Sequence, residues 1–335
     1  MLRPSTYVLA LALLVLDGCE TVQFYTQAAG GQAEILSRQK PIRTALQDGR
    51  TPPVVRERLA LTAALRRFAR EELALVPSVT YTTYADLGRE HVVFVVFAAP
   101  EFSIEPKSWW YPVVGHQDYR GFFAEDDARR AARALRKDGY DVYVGGVDAY
   151  STLGWFRDPV LNTFADYPEL EYVELIFHEL THHKLYIKGH TDFNEAFATA
   201  VAREGVRRWL RARNEPGRLA AYERTLRRRG KINGLISHHR GRLAALYGRD
   251  LPAEAMRTAK AGIFQDLRRD LEELRDAWTA GLTAWLARDL NNAHLAATAT
   301  YHEMIPEFDA LLEECGGDLP EFYKRVRERG RALGD

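Results

Sequence analysis

The chain has 335 residues, 46% of them hydrophobic, and 46 Lys+Arg balance 46 Asp+Glu. That composition excludes a disordered chain, and zero net charge excludes a general binder of nucleic acid, which needs a positive field. Two cysteines, Cys19 and Cys315, exclude a disulfide framework and a Cys-rich structural zinc site.

In chain order, Arg3 precedes an apolar run from Tyr7 to Leu16, and Asp17-Gly18-Cys19 follows. The run is shorter than the ~20 residues that span a bilayer and suits the core of a signal peptide. A small residue directly before Cys19 resembles a bacterial lipoprotein signal. The resemblance implies removal of residues 1–18, a lipid on Cys19 and a membrane-tethered chain in the bacterial cell envelope, facing the periplasm. Cys315 then has no partner and is expected as a small buried hydrophobe.

Residues 20–50 read as helix, broken at Gly49–Pro53. From Val54 to Leu75, Val55, Leu59, Thr62, Leu65, Phe68 and Leu73 recur at helical spacing, and Pro77 closes that helix. His91 to Ala98 is a continuous β-branched and apolar run, as in a buried strand. Extended chain is expected at 111–115 and 119–123, a helix at 124–138 capped by Gly139, and a strand at 140–145. Ala149 to Trp155 reads as an edge strand that could hold substrate backbone. From Pro168 onward helix dominates: to about Lys188, then Asp192–Arg213, 217–247, 252–286, 288–314 and 319–333. The division is therefore an α/β subdomain at 19–167 and a helical subdomain at 168–335. Residues 203–249 hold fourteen Arg/Lys against three Glu; a solvated helix face neutralised by Asp270, Glu272 and Glu273 is expected there.

The chemistry sits at the join. His178-Glu-Leu-Thr-His182 places two imidazoles one helical turn apart on one face, as a divalent zinc requires. Glu179 is placed to act on a water beside the metal. Gly189 can end this helix and Asp192 can cap the next, so the chain turns back and Glu195 becomes the third ligand. A capping-box role for Glu195 with Asp192 is the competing reading, and Asp192 and His190 are the alternative ligands. Leu185 and Lys188 stand where a metzincin needs Gly and His, which excludes that arrangement. His183 points about 100° away from His182. Thr199, one turn beyond Glu195, backs a metal ligand or merely packs.

His178-Glu-Leu-Thr-His182 followed by Asn194-Glu195-Ala-Phe-Ala198 resembles the gluzincin metallopeptidases. Trp110-Tyr-Pro-Val-Val-Gly115, Tyr119-Arg-Gly-Phe122, Ala149-Tyr-Ser-Thr-Leu-Gly-Trp-Phe156 and Asn291-Asn-Ala-His-Leu295 with Tyr301 are similar to one bacterial family, aminopeptidases with a zincin fold, over roughly residues 19–330. The resemblance implies an α+β, zincin-like fold: a mixed α/β N-terminal half, then a mostly helical C-terminal half carrying the zinc-motif helix. It implies a zinc (Zn2+) peptidase with a peptide substrate, in which Glu179 is general base and then general acid. Tyr150, Tyr301 and His294 are the candidates for a second oxyanion donor. The Gly-x-Met-Glu-Asn element by which gluzincin aminopeptidases grip a free amine is missing, and Asp148 is an acid in the corresponding region. A non-catalytic peptide- or partner-binding lipoprotein on the same scaffold is the alternative.

Overall fold

A computed structural model of the chain describes residues 22–75, 79–111, 115–149, 152, 156–274, 280–302 and 304–334. The signal segment, Cys19, Tyr150 and most of the expected edge strand at 149–155 lie outside them, as does the side chain of Tyr301.

The first element is helix α1, residues 22–38. It is followed by β1 (Gln39–Pro41), α2 (Ile42–Gln47) and α3 (Pro53–Glu72). Pro53 opens α3, where a missing N–H costs nothing, and Val55, Leu59, Thr62, Leu65 and Ala69 bury its inner face at helical spacing. The strands β2 (Thr83–Ala85), β3 (Val93–Pro100), β4 (Trp109–Tyr111), β5 (Gly115–Gln117) and β6 (Arg120–Phe122) come next. Helix α4 (Glu125–Lys137) precedes β7 (Tyr140–Val147) and β8 (Val160–Leu161). Gly139, at φ 83°, takes the left-handed position just past α4.

β3 pairs antiparallel with β6 on one side and β7 on the other. Because strand residues alternate faces, Val96, Ala98 and Val142 meet Ala128 and Ala132 of α4. Val93, Val95 and Phe97 turn the opposite way, into the main core. Smaller sheets join β1, β2 and β8, and β4 with β5. The three-residue strands carry too little alternation to be read from sequence, and β2 pairs parallel with β8 from a distant segment.

The remaining elements are helices: α5 (Glu169–His182), α6 (Thr191–Ala212), α7 (Pro216–Tyr247), α8 (Ala253–Glu273), α9 (Ala280–Leu286), α10 (Asn292–His302), α11 (Ile305–Glu314) and α12 (Leu319–Gly334). The mixed α+β expectation holds. Strand β1 interrupts the helix expected over 20–50, because its residues pair with β2, and three further details differ. α5 stops at His182 instead of running to Lys188, because Leu185 and Ile187 pack on the core from a non-helical segment that Asn194 holds. The expected helix 288–314 is divided, since Pro306 can stand in the first turn of α11 but not inside a longer helix. Asp192 is not a cap: α6 begins at Thr191, and Asp192 accepts the N–H of Phe193 from within the first turn.

The largest core draws on Leu59 of α3, Val95 of β3, Phe177 of α5, Phe197 of α6, Phe308 of α11 and Phe322 of α12. It therefore runs across residue 168. Cys315 is half-buried against it. The basic stretch is neutralised in part by an expected acid, Asp270, which pairs with His239, and in part by others: Arg229 pairs with Glu174, Arg218 with Glu169 and Arg242 with Asp266.

Candidate metal centre

α5 buries Tyr172, Val173, Ile176, Phe177 and Leu180 against the core, which turns His178, Glu179 and His182 toward a cavity of about 830 Å³. α6 packs beside it. Gly205 permits the close approach, since a Cβ there would meet the Phe177 ring at 2.7 Å. The connecting segment is fastened by Asn194: its Oδ1 accepts the N–H of Ile187 and its Nδ2 donates to the Ile187 carbonyl, both at 2.8 Å. Gly189, at φ 82°, makes the reversal. The chain thus returns with Glu195, next to Asn194, facing the two histidines.

His178 Nε2 lies 3.1 Å from Glu195 Oε2 and 3.2 Å from His182 Nε2. His182 Nε2 lies 3.6 Å from Glu195 Oε1. Four ligands around a zinc at about 2.0–2.1 Å stand roughly 3.3 Å from one another, so these separations fit a tetrahedral site with three protein ligands. Among the described residues, His178, His182 and Glu195 form the group able to hold a metal ion, within 4.8 Å of one another; Asp192 and His190 are not part of it. Glu195 has its carboxylate on the imidazoles, and α6 has no side-chain cap, so the capping-box reading fails.

The charges fit a cation as well. Glu179 and Glu195 are two carboxylates sunk at one place, and Arg229, which lines the same cavity, is held by Glu174. Buried anions without a counter-charge are costly. Burial pushes the Glu179 carboxyl up to about 7; His178 opposes the rise while Glu195 and Asp158 add to it. Burial also holds His182 down to about 4 against the pull of Glu195. For Glu195, burial acts upward but His182 and His178 outweigh it, and its pKa is lowered. A neutral imidazole and a charged carboxylate are the forms that bind metal.

Around this group, Thr199 Oγ1 is 3.4 Å from His178 Nδ1. His182 Nδ1 is buried without a hydrogen-bond partner among the described residues. His183 is half-buried, with Nε2 4.0 Å from Asp158 Oδ2. Val93, Val95 and Val147 from the sheet, Tyr111 and Tyr119 from the strand segments and Phe24 of α1 give the cavity an apolar side. Asp148 lines it too, but its oxygens already take His91 and the hydroxyl of Tyr167. His294 is not here: it lines a different cavity, beside Tyr143. Asn292 of the same motif is structural, donating to the carbonyls of Pro100 and Glu101.

Sequence reasoning missed Tyr186 and Asn194 as participants. Tyr186 lines the cavity close enough for the Glu195 charge to act on its phenol. It falls where helix was expected, so its direction was not readable; Asn194 was visible only as part of a motif.

Comparison with curated proteins and with solved structures gives no match. A family match covers residues 23–332, from α1 to α12 and across the whole metal centre. The chain belongs to the family described as "Putative aminopeptidase".

Proposed function

We propose that the protein is a zinc-dependent metallopeptidase of zincin-like, gluzincin type, tethered to the membrane by a lipid on Cys19. Family membership points to a peptidase acting on peptides. The observation that carries the finer reading is the convergence of His178, His182 and Glu195 within 4.8 Å, beside Glu179. The cavity has room for several residues of a peptide.

A zinc ion held by these three side chains would polarise the scissile carbonyl and make a neighbouring water acidic. Glu179 takes the proton from that water and passes it to the leaving amine. Its raised pKa suits both directions of transfer near neutral pH. Thr199 keeps the His178 ring turned so that Nε2 faces the metal. The second donor to the developing oxyanion is a phenol: Tyr150 or Tyr301, as the motifs suggest, or Tyr186, which lines the cavity.

The test is zinc analysis together with N-terminal profiling of a peptide library cut by the wild type. Glu179→Gln is expected to keep one zinc per chain and lose hydrolysis by about 10³-fold. A fully active Glu179→Gln would sink the mechanism. New termini one residue in, or scattered through the peptides, separate exo- from endopeptidase action. For the tether, Cys19→Ala is expected to move the protein from the envelope membrane fraction to the soluble one. Retention on the membrane after that change would reject lipidation.

A further inference from the structure

A second cavity, of about 770 Å³, lies on the α4 side of the sheet, away from the metal centre. Phe94 of β3 and Val142 and Val144 of β7 point to this face and form an apolar floor, with Tyr143 at the edge. Arginines of α4 and of the segment before α10 form the rim.

The rim is not balanced. Arg89 is held by Glu34, and Arg129 by Glu125. Arg133, Arg136 and Arg288 also line the cavity, and none has a carboxylate partner among the described residues. Arg136 and Arg288 each donate one N–H to a strand carbonyl, Val142 and Val144 respectively, which fixes their heads and leaves other N–H groups to spare. Arg288 also lies over the Tyr143 ring at 5.3 Å. Against these three stand the free carboxylate of Asp289 and that of Glu90, which is 89% exposed.

His294 also lines the cavity, packed on Tyr143 and only 4% exposed. Its Nδ1 is engaged by Asn291, at 3.0 Å from the amide oxygen, while its Nε2 has no hydrogen bond among the described residues. Burial, with Arg288 and Arg136 reinforcing it, holds this imidazole down to about 4, a mark of the positive field in the cavity. Three guanidinium forks and an imidazole exceed what the two oxygens of a carboxylate can serve. A phosphate group, with three acceptor oxygens and close to two charges, matches them.

We propose that this cavity binds a phosphate ester with an apolar body. The phosphate sits on Arg133, Arg136 and Arg288, and the body lies against Phe94, Tyr143 and the valines. The ester is a phosphomonoester, either a soluble organic phosphate or the headgroup of phosphatidic acid. The site shares no ligand with the metal centre, so it stands or falls separately from the peptidase reading.

The probes are phenyl phosphate, inorganic phosphate, and vesicles of phosphatidylcholine with or without phosphatidic acid, with a chelator present so that the metal centre contributes nothing. Calorimetry is expected to show one saturable site per chain for phenyl phosphate, tighter than inorganic phosphate. Arg133→Gln with Arg136→Gln should weaken it by about tenfold or more. Asp289→Asn, which removes the opposing carboxylate, should tighten it, and Glu195→Gln should leave it unchanged. Retention on vesicles containing phosphatidic acid but not on phosphatidylcholine alone, lost in the double variant, would support the site and assign the headgroup. Phenyl phosphate binding without such retention would support it and assign a soluble ester. No saturable binding below about 10 mM, or binding that the arginine changes leave intact, would overturn the proposal.

Discussion

Asn194 shows how much one side chain can decide. It is 1% exposed, and both ends of its amide serve Ile187. Asn194→Leu leaves a backbone N–H and a carbonyl without partners, each costing about 1–3 kcal/mol. The variant is expected to lose on the order of 3 kcal/mol in urea unfolding. Zinc affinity should fall with it, because Glu195 rides on the same turn. Unchanged affinity in a destabilised variant would show that the loop does not position the ligand. Glu179 owes its raised pKa, about 7, to its surroundings as well, because burial outweighs His178, and that shift underlies the proton-carrying role proposed for it.

At the scale of elements, the site depends on how closely α5 and α6 approach. Gly205 faces Phe177 and Leu73, whose atoms would lie 2.7 and 2.9 Å from a Cβ. Gly205→Ala has opposed effects. Helix propensity favours alanine by about 1 kcal/mol, while overpacking a closed core costs about 1–3 kcal/mol. Phe177 is fully buried and cannot yield cheaply, so net destabilisation is expected. Since Phe177 precedes His178, zinc titration should also show weaker binding. A more stable variant with unaltered zinc affinity would mean that the helices tolerate separation.

At the scale of the molecule, one antiparallel sheet separates two cavities, the metal centre on its α5 face and the arginine-rimmed one on its α4 face. His294, buried against Tyr143 near Arg288 and Arg136, gives a pH dependence of stability. Its pKa is lowered from 6.5 to about 4 in the folded chain. Above 6.5 neither state is protonated there. Between the two values the unfolded chain takes the proton and the folded one does not, so stability is lost as pH falls. The loss is roughly 3 kcal/mol at full extent, at about 1.4 kcal/mol per unit. Urea unfolding at pH 7 and pH 4.5 is expected to show a smaller drop for His294→Gln than for the wild type; equal drops would remove His294 from the account.

The legible parts were those written in short range. Two histidines one turn apart, a strand of consecutive β-branched residues and Gly139 after a charged helix all declare themselves, because helix and strand periods act over a few neighbours. The extent of α5 was not legible, since its end is set by Asn194, which lies in the next helix. The strands β1, β2 and β8 exist only through partners far away in the chain. Glu195 could be read as ligand or cap until the fold put its carboxylate on His178. Sequence alone thus determined the donor types and the helix that carries two of them. Tertiary structure decided their convergence, set His294 against Tyr143 away from the metal ligands, and gathered arginines without a carboxylate partner among the described residues around a second cavity. Those outcomes depend on long-range packing and on which charges find partners, and no local pattern encodes either.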